Sequence, residues 1–552
     1  MEFRAAIRTI DATLKNRGFR EVGPGIMDYE GAIQVHGKDV DVRVSIPDPR
    51  FARKPEIFLK DRTQIPVEVL AHVETESGIC YSSGAGLPVD LYEPGQAILR
   101  VIEEAQRTLE LSYRGRGHAE MVEEYQHYWF PKLGAKVFFP RNSQMKVLRG
   151  KLFFAERSGK VLFMCVGAEA SLRGYEATAP RNVEVRYVDA PLGPIPGVGA
   201  PETAADFETW YKAQPALATH TWESTWNWLV AGNALFFAAP NVMLGLTFVR
   251  PRQFDAAIKR GAIRPVALPK ILQAHASTIQ VNRLAGNWCS IDDVSARNNV
   301  GTANLLDVSI AVVGCGTIGS HLAKMLVQSG AGGRAKLSVF DTELFSEGNL
   351  GRHLLGFEYL GQSKATALKT ELERYHPQVQ VGAFPENALD LWPTLAGHDL
   401  VIDATGEWNV QSALNELFMN ETARPKALLH SWVFMNGAGA QSFSNLHDEY
   451  ACFRCLKPDL AGPWRFPAGD EKDELNLQPA SCGDGSFVPF TVDASAIAAS
   501  LTNRAALDWA KGTPGARLRT QAVDLDRGIY QKPRHPTPAR NCPACSGLRG
   551  AA

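Results

Sequence analysis

Ser309-Ile-Ala-Val-Val-Gly314-Cys-Gly316-Thr-Ile-Gly319 decides the fold of the C-terminal half of this chain. An apolar run of buried-strand type ends in glycines spaced Gly-x-Gly-x-x-Gly, and a helical pattern continues to about Gly330. The first glycine allows a tight turn, the second lets a phosphate approach bare backbone, and the third lets helix and strand pack closely. The helix N-terminus then faces the anion. A second strand, residues 336–340, ends at Asp341, and a third, residues 399–402, ends at Asp403. Strand, helix, strand at this spacing predicts a parallel, doubly wound sheet. Asp341 lies 22 residues after Gly319, where a carboxylate can accept hydrogen bonds from ribose hydroxyls.

Taken alone, the loop fits a dinucleotide or ATP equally well. The residues beyond it favour ATP. Asn349-Leu-Gly-Arg352 and Gly361-Gln-Ser-Lys364 gather an amide and two cations past the ribose position. Redox chemistry needs no such set, whereas a triphosphate about to be split needs neutralising charge. Asp403, at a strand's carboxyl end, offers oxygen ligands for magnesium.

Cys452-Phe-Arg-Cys455 and Cys542-Pro-Ala-Cys545 close the same region. A two-residue gap lets one turn present two thiolates, and two such pairs predict a structural, tetrahedral four-cysteine zinc site. Buried disulfides or inert thiols are the plainer reading. No secretory leader is read at Met1-Glu2-Phe3-Arg4, which opens straight into a helix pattern. A cytoplasmic chain with reduced thiols is therefore expected.

Across 552 residues, 58 Lys and Arg balance 59 Asp and Glu, which argues against general nucleic-acid binding. No apolar run reaches the roughly 18 residues that cross a bilayer, so no membrane role is expected. The length suits three domains, read as residues 1–140, 141–285 and 286–552. In the first, Phe3, Ile7, Ile10 and Leu14 share a helix face, and Val40, Val42, Val44 and Ile46 alternate as a half-exposed strand. Ile57 and Leu59 suggest another strand, and residues 97–111 a helix; the domain reads as α+β. Residues 141–285 carry no chemical signature. Strand-like stretches at 146–154 and 161–166 and a tryptophan cluster (Trp222, Trp226, Trp228) suggest a connecting α/β domain with those rings in its core.

The glycine loop, Asp341, Asn349-x-x-Arg352, the Gly-Gln-x-Lys364 segment, Asp403 and the paired cysteines together resemble the ThiF/MoeB-type adenylating domain over about residues 297–545. The fold class implied is α/β multidomain, with a Rossmann-like adenylation domain at its C-terminal end. The resemblance implies that Asp341, Asn349, Arg352, Lys364 and Asp403 bind ATP and magnesium. It also implies an arginine reaching a partner subunit's site in a homodimer, with Arg297 the candidate and Arg283 the fallback. The activity implied is adenylation of a C-terminal glycine carboxylate of a ubiquitin-like fold, with release of pyrophosphate.

Five cysteines remain. Cys482 stands in Ser-Cys-Gly-Asp-Gly between the two pairs, after a polar segment and before a helix expected over residues 492–509. The resemblance makes it the candidate acceptor of the acyl group, because a thioester conserves the reactivity of the acyl-adenylate. Cys315, Cys289 and Cys165 sit in apolar settings and read as fillers. Cys80, in His72-Val-Glu-Thr-Glu-Ser-Gly-Ile-Cys80, resembles the active site of a ubiquitin-conjugating domain over about residues 1–140. The family's His-Pro-Asn is replaced by His72-Val-Glu, two residues closer to the cysteine. The oxyanion-stabilising asparagine is thus missing, and His72 either braces the loop or only packs.

Fusion of these parts resembles the bacterial conjugation enzymes of CBASS anti-phage operons. That resemblance implies a partner with a C-terminal tail, a cGAS-like nucleotidyltransferase or a ubiquitin-like protein, joined to an amine of a target. A sulfur-carrier activator making a thiocarboxylate, a non-catalytic nucleotide-binding scaffold and an NAD-dependent oxidoreductase are the rival readings.

Overall fold

The computed structural model of the protein describes residues 3–546 apart from 24–26, 66–71, 74–76, 82–86, 88, 115–117, 124, 130–133, 158–159, 168–174, 176–177, 196–197, 298, 300–302 and 480–485. The chain divides into two compact units at Trp288/Cys289.

In the second unit, every residue of the strand β1 (Ile310–Val313) is buried. Successive side chains of a strand point to opposite faces, and this strand serves two cores. Ile310 and Val312 join one with Leu322 and Leu326 of the helix Thr317–Gln328. Ala311 and Val313 join the other with Phe418 and the four paired cysteines. β2 (Leu337–Phe340), β3 (Val381–Phe384), β4 (Leu400–Asp403) and β5 (Ala427–Phe434) run parallel to it, and β6 (Gly439–Asn445) and β7 (Leu518–Ala522) add on antiparallel. The sheet order 3-2-1-4-5-6-7 reverses between β1 and β4, which is where a doubly wound sheet opens its ligand crevice. The helix expected over 492–509 spans Val492–Ala510.

The first unit has two parts. An antiparallel sheet of Arg20–Glu21, Met27–Val35, Lys38–Ile46 and Glu56–Leu59 buries one face against the helices Phe3–Asn16 and Pro94–Tyr113. The alternation foreseen for Val40, Val42, Val44 and Ile46 holds, with all four buried and polar neighbours outward. Ile10 and Leu14 of the first helix are buried; Ile7 is half-buried.

The second part corrects the sequence reading. The connecting α/β domain is a closed seven-stranded barrel with packed helices, with other boundaries than expected. Its strands run from Gly134–Val137 to Gln280–Trp288, so the expected boundaries at 141 and 286 both cut through it. Those two strands pair with each other in parallel, about 150 residues apart, and no local pattern encodes such a pairing. Trp226 is buried as foreseen, and Trp222 and Trp228 are half-buried. Among the described residues, no helix is long and apolar enough to cross a membrane.

The helix Thr317–Gln328 lies so close to the loop before it that a Cβ on Gly319 would come within 1.8 Å of the Gly314 carbonyl oxygen. Gly319→Ala should therefore destabilise the second unit by about 3 kcal/mol or more. Urea unfolding followed by tryptophan fluorescence measures this, and an unchanged midpoint would refute the close approach.

Candidate adenylation site

Gly314, Gly316, Asp341, Asn349, Arg352 and Lys364, distant in sequence, line a single cavity of about 1140 Å³ at the carboxyl ends of the parallel strands. Gly314 takes φ +88°, and a Cβ there would strike Thr405 at 2.9 Å. Gly316 is the opposite case: nothing lies within 4 Å of its missing Cβ, so backbone is bare toward the cavity. Gly316 also caps the helix Thr317–Gln328, whose first N–H groups favour an anion.

Asp341 is held by two backbone donors, Cys315 N–H to Oδ2 at 2.7 Å and Glu343 N–H to Oδ1 at 2.8 Å. Burial pushes its pKa up, against those donors. Asn349 uses its Oδ1 to accept from the backbone N–H and hydroxyl of Ser346. Lys364 opens the helix Lys364–Tyr375; its side chain is 6% exposed and pairs with Glu343. The Arg352 guanidinium lies over Phe487 and Phe490, 5.0 and 5.2 Å from the ring centres, and burial lowers its pKa. Neither partner of these cations was visible in sequence patterning.

Asp403, expected to hold magnesium, is not among the residues that line the cavity. Its side chain is fully buried. Oδ1 accepts from the Thr405 N–H at 3.0 Å and hydroxyl at 2.7 Å, and Oδ2 accepts from His430 Nδ1 at 2.8 Å. Thr405 lines the cavity in its place, beside Glu407. Arg297 is exposed, follows the helix Ile291–Ala296, and is not among the residues that line the cavity. Arg283 lies within the barrel strand Gln280–Trp288 of the first unit.

Cys452, Cys455, Cys542 and Cys545 are buried and come together, their sulfurs all within 4.8 Å of one another. Cys452 Sγ lies 3.7 Å from Cys455 Sγ and 3.6 Å from Cys542 Sγ, and Cys455 Sγ lies 3.4 Å from Cys545 Sγ. A tetrahedron with Zn–S near 2.3 Å has edges of about 3.8 Å, so the donor set fits a metal of that kind. Phe453, between the first pair, stacks on His430 at 4.3 Å. Cys165 and Cys315 are buried with thiol pKa pushed up by desolvation, which suits fillers.

In the first unit, Cys80 is exposed. The residues before it lie along the edge strand Glu56–Leu59: Ile79 N–H donates to Ile57 C=O at 2.7 Å, and Leu59 N–H to Ser77 C=O at 2.8 Å. The Cys80 N–H donates to the His72 carbonyl at 2.8 Å, and the His72 N–H donates to the Tyr128 hydroxyl at 2.9 Å. His72 is buried with φ +58° and braces the cysteine segment through its backbone. Cys482 lies outside the described residues. The strands that flank it, Gln478–Pro479 and Ser486–Phe487, pair antiparallel, and Ser486 and Phe487 line the cavity.

His353 was not singled out in the sequence. Its Nδ1 accepts from the Leu355 N–H, so Nε2 carries the proton and donates to the Cys315 carbonyl at 2.6 Å, bracing the glycine loop. The sign that could have found it is its place next to Arg352.

Residues 292–544 match the model of the ThiF family. Residues 7–138 match that of Prokaryotic E2 family B. The chain is 27% identical over 574 residues to the ATP-dependent ubiquitin transferase-like protein Cap2 of Pseudomonas aeruginosa, covering 99% of this chain and 100% of that protein. It is 30% identical over 315 residues to the protein of the same name from Vibrio cholerae, covering 55% of this chain and 52% of that one. Against the molybdopterin-synthase adenylyltransferase of Escherichia coli, identity is 29% over 161 residues, or 28% of this chain and 61% of the relative.

Burial holds the pKa of His353 down at about 4, against 6.5 when exposed. The unfolded chain thus binds more protons between those values. The stability contributed by the neutral ring is complete above pH 6.5 and is lost as pH falls toward 4, by about 3 kcal/mol. Unfolding midpoints measured from pH 7 to pH 4.5 should fall more steeply in the parent than in His353→Asn.

Proposed function

We propose that this chain, which joins a Prokaryotic E2 family B domain to a ThiF family domain, activates a protein's C-terminal carboxylate with ATP and passes the acyl group through thioesters to an amine. One observation carries the reading: the bare backbone of Gly316, the carboxylate of Asp341 and the cations Arg352 and Lys364 converge on one cavity.

Asp341 accepts the ribose hydroxyls, and the helix N-terminus behind Gly316 receives phosphate. Arg352 and Lys364 exchange Phe487, Phe490 and Glu343 for the polyphosphate. A substrate carboxylate oxygen attacks the α-phosphorus, the bond to the β-phosphate oxygen breaks, and pyrophosphate leaves. The Cys482 thiolate attacks the acyl carbon and AMP departs. The Cys80 thiolate then displaces Cys482, and a lysine amine displaces Cys80 to form an isopeptide. Each thiol exchange conserves the acyl bond energy. Magnesium would neutralise charge on the triphosphate; Asp403, the carboxylate expected to hold it, is bonded to Thr405 and His430. Zinc is the metal proposed for the four-cysteine cluster, where it acts structurally.

The whole-length similarity to Cap2 supports a role in anti-phage defence, with the tail of a cGAS-like nucleotidyltransferase or of a ubiquitin-like protein as the activated carboxylate. The chain is further read as a cytoplasmic homodimer in which Arg297, exposed after the helix Ile291–Ala296, reaches the partner's cavity. The alternative reading is a sulfur-carrier activator, whose product would be a thiocarboxylate.

Arg352→Ala and Lys364→Ala should each lower ATP–pyrophosphate exchange by about 100-fold. Cys482→Ala and Cys80→Ala should leave exchange intact and abolish isopeptide product, read by gel shift. Isopeptide formed by Cys80→Ala at the parental rate would end the relay, and a thiocarboxylate seen by mass spectrometry would replace it. One zinc per chain is expected by elemental analysis, lost in Cys455→Ser together with thermal stability.

A further inference from the structure

The short helix Tyr125–Trp129 ends just before the barrel strand Gly134–Val137. Three of its residues are fastened to the barrel part. Gln126 Nε2 donates to the Gly286 carbonyl at 3.2 Å, and its Oε1 accepts from the Met243 N–H at 3.3 Å. Trp129 Nε1 donates to the Gly245 carbonyl at 3.1 Å, and the Tyr125 hydroxyl accepts from Trp210 Nε1 at 2.8 Å. Tyr125 and Trp129 are buried in the apolar core that also holds Trp210, Phe237 and Leu244, and the half-buried Tyr128 packs against it. A helix this short does not hold its own shape in water, so the barrel part sets where it lies.

The Tyr128 hydroxyl is engaged with the other part of the unit. It accepts the N–H of His72, 56 residues earlier, and the His72 carbonyl accepts the Cys80 N–H. Both backbone groups of one residue are thus committed, one to the barrel-held helix and one to the cysteine. That residue carries φ +58°, a left-handed turn that a residue with a side chain adopts at a cost and keeps only where its surroundings fix it. Beside it, Val73 and Ile79 form an antiparallel bridge. The path from the barrel core to the cysteine backbone is therefore three residues long: Tyr128, His72, Cys80.

We propose that Tyr128 is a positioning residue for acyl transfer at Cys80, so that the connecting barrel is a working part of the conjugating site and not a spacer. The proposal rests on the reading of Cys80 as an acyl carrier. In that reaction the Cys80 thiolate bonds to the acyl carbon and the donor sulfur leaves as a thiolate; an amine later takes the acyl group, loses a proton to solvent, and Cys80 leaves. Tyr128 gives up no proton in either step. It acts through His72, by holding the sulfur where the reacting atoms meet at roughly 3–3.5 Å, a geometry in which a small displacement is costly in rate.

The test uses the full chain with Cys482→Ala, and a glycylglycine thioester of mercaptoethanesulfonate that loads Cys80 without ATP. Loading and discharge to free lysine are followed by intact mass spectrometry, with Cys80→Ala as the blank. Tyr128→Phe should lower the maximal rates of loading and discharge by about tenfold and leave the half-saturating thioester concentration unchanged. Iodoacetamide, which demands little orientation, should label Cys80 at the parental rate and with the parental pH midpoint. Gln126→Met, which loosens the helix from the barrel and keeps Tyr128, should slow transfer by about threefold. Parental transfer in Tyr128→Phe overturns the proposal. So does a matching change in iodoacetamide labelling, which would assign the hydroxyl to access or thiol acidity. Parental transfer in Gln126→Met overturns the part given to the barrel. A parent that loads no better than Cys80→Ala removes the acyl-carrier reading itself.

Discussion

A single buried carboxyl group organises the second unit. Asp403 ends a central strand with no solvent contact, and three donors close around it, two from Thr405 and one from His430. Thr405 is the residue that a side chain on Gly314 would strike, so the Asp403 clamp also shapes the glycine loop. His430 stacks on Phe453, which sits between the first two cysteines of the metal cluster. A buried polar group of this kind is stable only when all its bonds are made. The nucleotide loop and the cysteine cluster are therefore held in register by the same few atoms.

The cations of the cavity show a related economy. Lys364 and Arg352 would be expensive to bury alone, and each has a partner. Lys364 leans on Glu343, and Arg352 on two aromatic faces. Phe487 belongs to the hairpin stem that flanks residues 480–485.

In the first unit the reactive group is presented rather than enclosed. Cys80 is exposed while the segment leading to it is hydrogen-bonded along an edge strand. The substitution of His-Pro-Asn by His72-Val-Glu leaves a backbone brace in place of a side-chain one, since the His72 carbonyl and N–H are the groups engaged with Cys80 and Tyr128. Tyr128 comes from the helix that leads into the barrel, so the barrel part contributes to the geometry of the cysteine.

The sequence by itself determined what local periodicity and fixed spacing can encode: strands of period two, helices of period 3.6, the glycine loop with its demand for missing side chains, and two cysteine pairs that one ion can gather. It also brought out six of the residues that meet in the cavity, Gly314, Gly316, Asp341, Asn349, Arg352 and Lys364, because a doubly wound sheet opens its crevice at the carboxyl ends of its strands. Only the tertiary structure decided where hydrogen bonds go. Asp403 turned inward to His430, 27 residues away, although its place at a strand end pointed to a metal. Gly134–Val137 closed a barrel with a strand about 150 residues later. Each of these depends on which distant backbone or side chain arrives opposite, a choice made by packing of the whole unit and by no stretch of chain alone.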